Sequence, residues 1–494
     1  MRKRMNSINA LDRRLVERTA HWRASPADQF LRSLSMSANH SRLWMAIAAG
    51  LFVAGGRSQR RGAVRGLAAV GMASGLANGV AKPLFPRRRP PVQAVPLLRR
   101  LVKPPVSSSF PSGHAASAAA FTTAVALESP GTAAVLAPLA VAVAYSRVHI
   151  GVHWPSDVVV GAALGSGVAL GTRRWWAVRD DEPAALGPAK RTEPLPDGRG
   201  MLLVVNPASG PGDGTEEVAL LHNRLPAAQL LEVDGGIDLD AEIDQRVRRD
   251  DIAALGVLGG DGTVSTVAEA AVRHSLPLAV FAGGTLNHFA RDVGVEEPAT
   301  TFAALDAGQL MLVDTAQVKL DDGEERTFVN TASLGGYPDF VRLRERWERR
   351  IGKWPAAGIA MLCVLFRAEP LRAVVDGERN DLWMLFVGNG AYDPADQIPM
   401  SRPRLSDGTL DIRYLRADLR FSRLRLIFAT FTGTLNRSDT YVHRRVGRLN
   451  VQVEGAPVSL ATDGEVAHQA EKLDFTSQPA ALAVFREAQP DDVG

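Results

Sequence analysis

Cysteine is almost missing from this chain. Its 494 residues hold one, Cys363, inside an apolar stretch. That excludes an intrachain disulfide and any cysteine-built zinc cluster. Aromatic residues are sparse at 6%, and nowhere do they interleave with basic residues into a platform for stacked bases. No apolar run reaches the roughly 20 residues that cross a bilayer unaided. The first forty residues are too polar and too arginine-rich to read as a cleavable signal peptide. There is no Walker lysine and no G-x-G-x-x-G fingerprint, which sets aside P-loop enzymes and dinucleotide binders. A chain this long calls for two or three domains.

What the chain does have is arginine in clusters: Arg2 to Arg4, Arg57 to Arg65, Arg87 to Arg89, and Arg173 with Arg174. Such clusters suit anionic lipid surfaces or phosphates; nucleic acid is the competing partner, and only the basic balance supports it. Five apolar segments lie near 43–56, 66–81, 115–127, 131–145 and 158–172. No charged residue falls between Arg65 and Lys82 or between Asp157 and Arg173, and Glu128 is the only charge from 115 to 145. The segments are short and rich in alanine and glycine. A soluble bundle of buried helices would read the same way, but small residues also favour close packing of membrane helices. Trp175 and Trp176 beside Arg173 and Arg174 resemble an interfacial anchor. The expectation is an all-α transmembrane helical bundle over 43–172, preceded by an amphipathic interfacial segment over 1–42. The basic loops 56–66 and 172–176 then face the cytoplasm, and loops 82–110 and 146–156 lie on the other side. Residues 8–40 either lie in the interface or hide a sixth crossing.

A linker follows over 173–200, with four prolines and mixed charge between 180 and 200. After it, strands alternate with helices, which means a parallel α/β lobe over 201–311. From 312 to 485 short β-like runs dominate, with helices expected near 340–349 and 355–367. That is a second, β-rich, sandwich-like lobe.

Three stretches of the first half carry chemistry. "KPLFPRRRP" sets Lys82 seven positions before Arg89. "PSGHAAS" puts His114 at the head of an alanine-rich segment. "SRVHIGVHWPSD" spaces Arg147, His153 and Asp157. Taken alone, His114 is an ordinary helix-start residue behind Pro111 and Ser112. Taken together, the three build a phosphate site. Lys82, Arg89 and Arg147 can clamp a dianion, the arginines as bidentate forks. Ser112 and the amides around Gly113 open a helix, where backbone N–H groups point at an anion. His153 is a candidate nucleophile that becomes a phosphohistidine. Asp157 would hold its tautomer across a turn at Pro155, and His114 would protonate the leaving alkoxide. His149 has no assigned role.

These stretches resemble the type-2 phosphatidic acid phosphatase family, within a superfamily that also contains vanadium haloperoxidases and bacterial acid phosphatases. The likeness covers about 40–172 and matches all three motifs. It implies a lipid phosphatase without metal or cofactor, with His153 as nucleophile and His114 as acid. A haloperoxidase is disfavoured, because those relatives are mostly soluble.

In the second half, "VVNPASG", "GGDGT" and "GGTLNHFARDVG" are three glycine loops at strand ends, where α/β sheets bind ligands. With "TDGE" at 462–465 they resemble the diacylglycerol kinase catalytic family, which includes sphingosine and ceramide kinases. The resemblance covers about 200–485. It implies ATP and magnesium in a cleft between two lobes, lined by Asn206, Gly259, Gly260, Asp261, Gly262, Thr263, Gly284, Thr285 and Asn287. Glu465 would be the base for the lipid hydroxyl, with Asp261 acting through magnesium and ATP; the two roles are exchangeable. "LSDGTLD" resembles a segment that carries a second, structural magnesium in some bacterial members, through Asp407, although an Asp-Gly hairpin turn reads the same way. A homodimer is compatible with this family.

The reading is a bifunctional, multi-pass enzyme of the cell membrane. A lipid phosphatase faces outward and a lipid kinase faces the cytoplasm, so different leaflets or different lipids keep them from a futile cycle. Phosphatidic acid, diacylglycerol, polyprenyl and sphingoid lipids are the candidate partners. Two readings compete: one catalytic half anchored by the other, and a regulatory lipid-binding protein that senses ATP.

Overall fold

The computed structural model describes the chain apart from residues 1, 21–24, 92, 94, 102–104, 179–182, 210–214, 234–235, 285, 322, 336–368, 396–398, 490–491 and 493–494. Two compact units emerge, Met1–Asp181 and Glu182–Gly494. The helices expected near 340–349 and 355–367, Cys363 and Thr285 lie outside the described residues.

The first unit is helical: α1 (Arg2–Ala20), α2 (Pro26–Ser37), α3 (Arg42–Ala54), α4 (Arg57–Gly75), α5 (Lys82–Leu84), α6 (Gly113–Glu128), α7 (Pro130–His149) and α8 (Pro155–Gly171). A π-helical stretch, Leu76–Ala81, joins α4 to α5. All five apolar segments are helical. Among the described residues one helix, α7, is long and apolar enough to cross a membrane by length and composition. The core is built of small side chains around Trp44 and Phe121, whose rings lie 5.3 Å apart. Gly66 gives the Phe121 ring its place, since a Cβ there would come within 2.7 Å of it. On α8, Gly161 and Gly165 stand four residues apart and face α6. A Cβ on Gly161 would strike the Ser112 carbonyl, and one on Gly165 the Ala116 carbonyl. Small residues at this spacing let two backbones meet.

Helices α1 and α2 belong to this unit. Asp12 and Asp28 are both buried. Asp12 pairs with Arg87 at 2.7 Å, and Asp28 with Arg99 at 2.9 Å and His149 at 2.6 Å. The interfacial segment expected from its polarity is thus tied down by buried acid–base contacts.

At the end of α6, Glu128 meets the basic start of α4. Arg61 pairs with it at 2.9 Å and Arg65 at 2.7 Å. Arg65 also donates to Thr172 Oγ1 and the Ala177 carbonyl and lies 4.9 Å from the Trp176 ring centre. Side chains 65 and 128 are fully buried, so this apolar stretch tolerates its one acid because two arginines neutralise it.

The second unit has a single mixed sheet. Its strands are β1 (Ala189–Arg191), β2 (Met201–Val205), β3 (Gln229–Glu232), β4 (Ala254–Gly259), β5 (Leu278–Ala282), β6 (Gln309–Leu320), β7 (Glu325–Phe328), β8 (Thr331–Gly335), β9 (Leu371–Val375), β10 (Glu378–Asn389), β11 (Leu410–Arg416), β12 (Tyr441–Val446), β13 (Arg448–Val453), β14 (Val458–Thr462), β15 (Glu465–Ala470) and β16 (Lys472–Phe485). Its helices are α9 (Thr215–Arg224), α10 (Leu239–Arg249), α11 (Asp261–His274), α12 (His288–Val293), α13 (Pro298–Ala307) and α14 (Ser422–Thr432). Strands β3, β2, β4 and β5 are parallel neighbours in that order. The uninterrupted apolar runs of β2, β4 and β5 fit strands covered on both faces, whereas β3 is a largely exposed edge. Apart from the β16–β5 contact, the remaining strand pairings are antiparallel. β16 joins the two lobes: its end runs parallel to β5 at Val484 and Leu278, while its length pairs antiparallel with β6 and β13. Part of the expected linker is structural, because β1 pairs with β6 and Leu186 is buried in the α/β core.

Glu128→Ala would strand Arg65 in a dry site. Removing one partner of such a pair typically costs about 3–5 kcal/mol. Thermal unfolding of the purified chain in detergent should show this loss, and Glu128→Gln should lose less.

Candidate active sites

In the first unit the three motifs converge at one end of the bundle: the end of α4–α5, the starts of α6 and α8, and the end of α7. His153 is buried in the loop before α8. Its Nδ1 donates to the Ser109 carbonyl at 2.6 Å, which leaves Nε2 with the lone pair. Arg89 Nη1 lies 3.4 Å from that Nε2 and donates to the Val152 carbonyl at 2.6 Å. Asp157 Oδ2 stands 3.7 Å from His153 Nδ1. The tautomer is therefore fixed at closest range by a backbone carbonyl rather than by the carboxylate. Asp157 instead accepts the Trp154 amide at 2.9 Å and Arg87 at 2.6 Å, and its own carbonyl accepts the Ser112 amide at 2.9 Å.

The charges of Arg89 and Arg147 act on Lys82, and that of Arg89 on Arg147. Lys82 Nζ donates to Asn78 Oδ1 at 2.7 Å, and Arg147 bonds Ser35 of α2. His114 feels the fields of Arg147, His153 and Lys82, and its Nε2 is 3.0 Å from Asn39 Oδ1. Ser112 caps α6, accepting the Ala115 amide at 3.4 Å. Gly113 lies against Asn78, whose Oδ1 would be 3.3 Å from a Cβ there. Lys82 and Gly113 thus share Asn78, Arg89 reaches His153, and the Ser112 backbone is joined to that of Asp157. Sequence reasoning missed Asp12, Ser35, Asn39, Asn78, Arg87 and Ser109. Arg87 stood in plain view beside Arg89. The others carry no local signal, because they meet the site only through the fold.

In the second unit the glycine loops meet at the carboxyl ends of β2, β4 and β5. Asn206 Nδ2 donates to Thr263 Oγ1 at 2.9 Å. Asp261 Oδ1 accepts the His288 amide at 2.6 Å. Asn287 has a left-handed backbone, φ 47°, and closes its loop by bonds of 2.8 and 2.7 Å to the Gly284 amide and carbonyl. A Cβ on Gly284 would come within 2.6 Å of Gly260 Cα, and one on Gly259 within 2.8 Å of Thr263 Cβ. Glu465 arrives from the β-rich lobe: a Cβ on Gly262 would overlap its Oε1. Asp463 and Gly464 form the two-residue turn between β14 and β15, both with positive φ, as a type I′ hairpin requires.

Asp463, quoted in the motif but given no task, proves to be the buried organiser. Its carboxylate accepts the amides of Val329, Asn330 and Thr331 at 2.8 to 2.9 Å and the Ser265 hydroxyl at 2.6 Å. Burial pushes its pKa up despite these donors. Asp407 accepts the Ala391 amide at 2.9 Å, and the Thr409 amide and hydroxyl at 3.1 and 2.9 Å. Burial raises the pKa of neighbouring Asp314, and the Asp407 charge adds to the rise. Among the described residues no group of three or more His, Cys, Asp or Glu is arranged to hold a metal ion.

Known proteins match each unit separately. Residues 62–181 match the family model of the PAP2 superfamily, and residues 200–318 that of the diacylglycerol kinase catalytic domain. A diacylglycerol kinase of Mycobacterium tuberculosis is 29% identical over 300 residues, which is 57% of this chain and 94% of that protein. A decaprenylphosphoryl-5-phosphoribose phosphatase of the same organism is 36% identical over 142 residues, 28% of this chain and 73% of that protein. A crystal structure of a diacylglycerol kinase from Bacillus anthracis covers 60% of this chain and 98% of its own, at 19% identity and a TM-score of 0.41.

Burial lowers the His153 pKa to about 4; the nearby Asp157 carboxylate opposes this, and Arg147 and Arg89 reinforce it. A depressed imidazole pKa keeps the neutral form as pH falls through the ordinary histidine range. Nitrogen NMR of histidine-labelled protein, with the His153 signal assigned by its loss in His153→Ala, should give a midpoint near 4. A midpoint near 6.5 would contradict the buried geometry.

Proposed function

The chain belongs to the PAP2 superfamily through its first unit and carries a diacylglycerol kinase catalytic domain in its second, and from that premise we propose a bifunctional lipid enzyme. The first unit removes a phosphate from a lipid phosphate, and the second uses ATP to phosphorylate a lipid hydroxyl. The observation that carries the phosphatase half is the His153 imidazole, its Nδ1 committed to a carbonyl and its Nε2 facing the arginine side of the site.

His153 Nε2 attacks phosphorus while Lys82, Arg89 and Arg147 hold the phosphate oxygens. The bound phosphate dianion offsets the cations around His114 and lets its imidazole hold a second proton; the P–N bond then forms, the P–O bond to the lipid breaks, and that proton goes to the departing alkoxide. Water then attacks phosphorus, the P–N bond breaks, and the proton of that water returns to His114. Ser112 and the Gly113 amide sit at the head of α6, where an anion is favoured. The residues present suit a reaction with no metal: three cations already neutralise the phosphate.

In the second unit the loops around Asn206, Gly259, Gly260, Gly262, Thr263, Gly284 and Asn287 suit the phosphates of ATP. At Gly259, Gly262 and Gly284 a Cβ would collide with Thr263, Glu465 and Gly260, so only glycine lets these loops pack so closely; Thr285 completes the set by resemblance. Bound magnesium would neutralise charge on the transferring phosphoryl group, with Asp261 on the side of the loops to organise it. Asp261 already spends one oxygen on the His288 amide, whereas Glu465 is exposed beside Gly262. That contrast supports Glu465 as the group that takes the lipid hydroxyl proton. Asp407, whose charge acts on Asp314, is the candidate for a structural cation.

A membrane-embedded first unit fits helix α7, the small-residue packing of α6 on α8, and the gathering of Arg61, Arg65 and Trp176 at the end away from the phosphate site. The positive-inside rule then sets the phosphatase site outside and the kinase in the cytoplasm. The named relatives favour a polyprenyl phosphate for the first half and diacylglycerol for the second.

Two experiments test the halves. His153→Ala protein, given γ-labelled ATP, magnesium and a panel of diacylglycerol, sphingoid and polyprenol lipids, should label diacylglycerol; no labelled lipid of any class would refute the kinase. Rapid acid-free quenching of wild type with a labelled lipid phosphate should trap an acid-labile, base-stable phosphoryl group that His153→Ala lacks. Turnover without that label would refute the phosphohistidine.

A further inference from the structure

Helix α14 of the second unit has apolar residues on two opposite faces. Ser422, Leu426 and Ala429 turn inward and are buried. Trp383 holds the helix from behind, donating from Nε1 to Ser422 Oγ at 3.3 Å and lying 4.4 Å beneath the Arg423 guanidinium. The outer face presents Phe421, Leu424 and Phe428, which are 62%, 63% and 68% exposed. Leu424 and Phe428, four residues apart, share one side of the helix, and Phe421 stands in the turn just before it. A surface helix normally sets polar residues opposite its buried stripe; one that is apolar on both sides has a second face to cover. Phe421 also adopts a positive φ of 59°, which a bulky side chain rarely takes and which is retained where the surroundings or function require it. Here it turns a phenyl ring toward solvent at the head of the helix.

The charge around this face has one sign. Between Asp418 and Asp439 the sequence holds Arg420, Arg423, Arg425 and Arg437 and no acid. Asp418 is already paired with Arg416 at 2.5 Å. Arginines bordering a projecting aromatic and aliphatic stripe are the pattern of an element that lies in the interface of an anionic bilayer. A second copy of the chain is a poorer occupant. A twofold contact would set this patch against itself, and its arginines would face arginines without a carboxylate between them.

We propose that α14 and the Phe421 turn dock the kinase unit on an anionic lipid surface, with Phe421, Leu424 and Phe428 entering the acyl boundary and Arg420, Arg425 and Arg437 meeting the headgroups. The use of this surface rests on the kinase reading, since a lipid hydroxyl must be collected from a bilayer.

The test uses the full chain in nanodiscs of phosphatidylcholine, alone or mixed with phosphatidylglycerol. A fluorophore on Leu424→Cys, in a Cys363→Ser background, reports contact with doxyl-labelled lipid. Quenching should be strong in the anionic discs, weak in the neutral ones, and lost on adding Phe421→Asp with Phe428→Asp. The same aspartate pair should lower phosphorylation of long-chain diacylglycerol in the disc by about tenfold or more, while the rate on short-chain, water-soluble diacylglycerol stays unchanged. Absence of quenching in both discs would overturn the proposal, as would equal loss on both substrates. Quenching replaced by cross-linking of Leu424→Cys between two chains would overturn it in favour of self-association. If wild type phosphorylates neither diacylglycerol, the kinase reading fails, and the quenching still decides the docking.

Discussion

The close approach of α6 and α8 is the constraint on which the phosphate site depends. Gly161 and Gly165 put the backbone of one helix directly on the carbonyls of Ser112 and Ala116 of the other. With that spacing the Ser112 amide reaches the Asp157 carbonyl, and the loop between α7 and α8 closes so that His153 finds the Ser109 carbonyl. His114 starts one helix and His153 precedes the other, so the placement of the two histidines is set by two glycines in the middle of a helix pair. In lipid there is little hydrophobic drive to bring helices together, and such packing must supply the association itself.

The second unit meets the same problem by other means. Glu465 lies on the β-rich lobe and the nucleotide loops on the α/β lobe, so something must hold the lobes in register. Asp463 does this locally: its carboxylate gathers three consecutive amides from 329 to 331 and the Ser265 hydroxyl of α11. Buried Arg402 adds a second tie, bonding Asp292 of α12 at 2.8 Å and Asn330 at 2.8 Å. A buried charge fixed by this many partners is costly to disturb, and the Asp463 turn is where the chain delivers Glu465 to Gly262.

Much of this was legible in the sequence, and the reason is local. A histidine at a helix start, arginines at fixed spacing and glycine loops at strand ends announce themselves within a dozen residues. The five apolar segments and the strand-rich lobe were readable from periodicity alone. The partners that orient the catalytic groups were not. Asp12 reaches Arg87 and Ser156, Asn39 reaches His114, and Ser35 reaches Arg147, all across scores of residues. Residues 1–42 looked polar enough to lie in an interface because the buried carboxylates of Asp12 and Asp28 cannot be told from solvated ones without their partners. The stretch near 184–191 read as linker because its prolines hide the three-residue strand that pairs with β6.

The central claim is that two phosphoryl chemistries of opposite direction reside in separate units of one chain. It is tested most directly by assaying both activities in parallel on two variants, His153→Ala and Glu465→Gln. The account predicts a double dissociation: the first loses phosphate release and keeps phosphorylation of the lipid, and the second does the reverse. Loss of both activities in either variant, or survival of the activity each change should abolish, would contradict it.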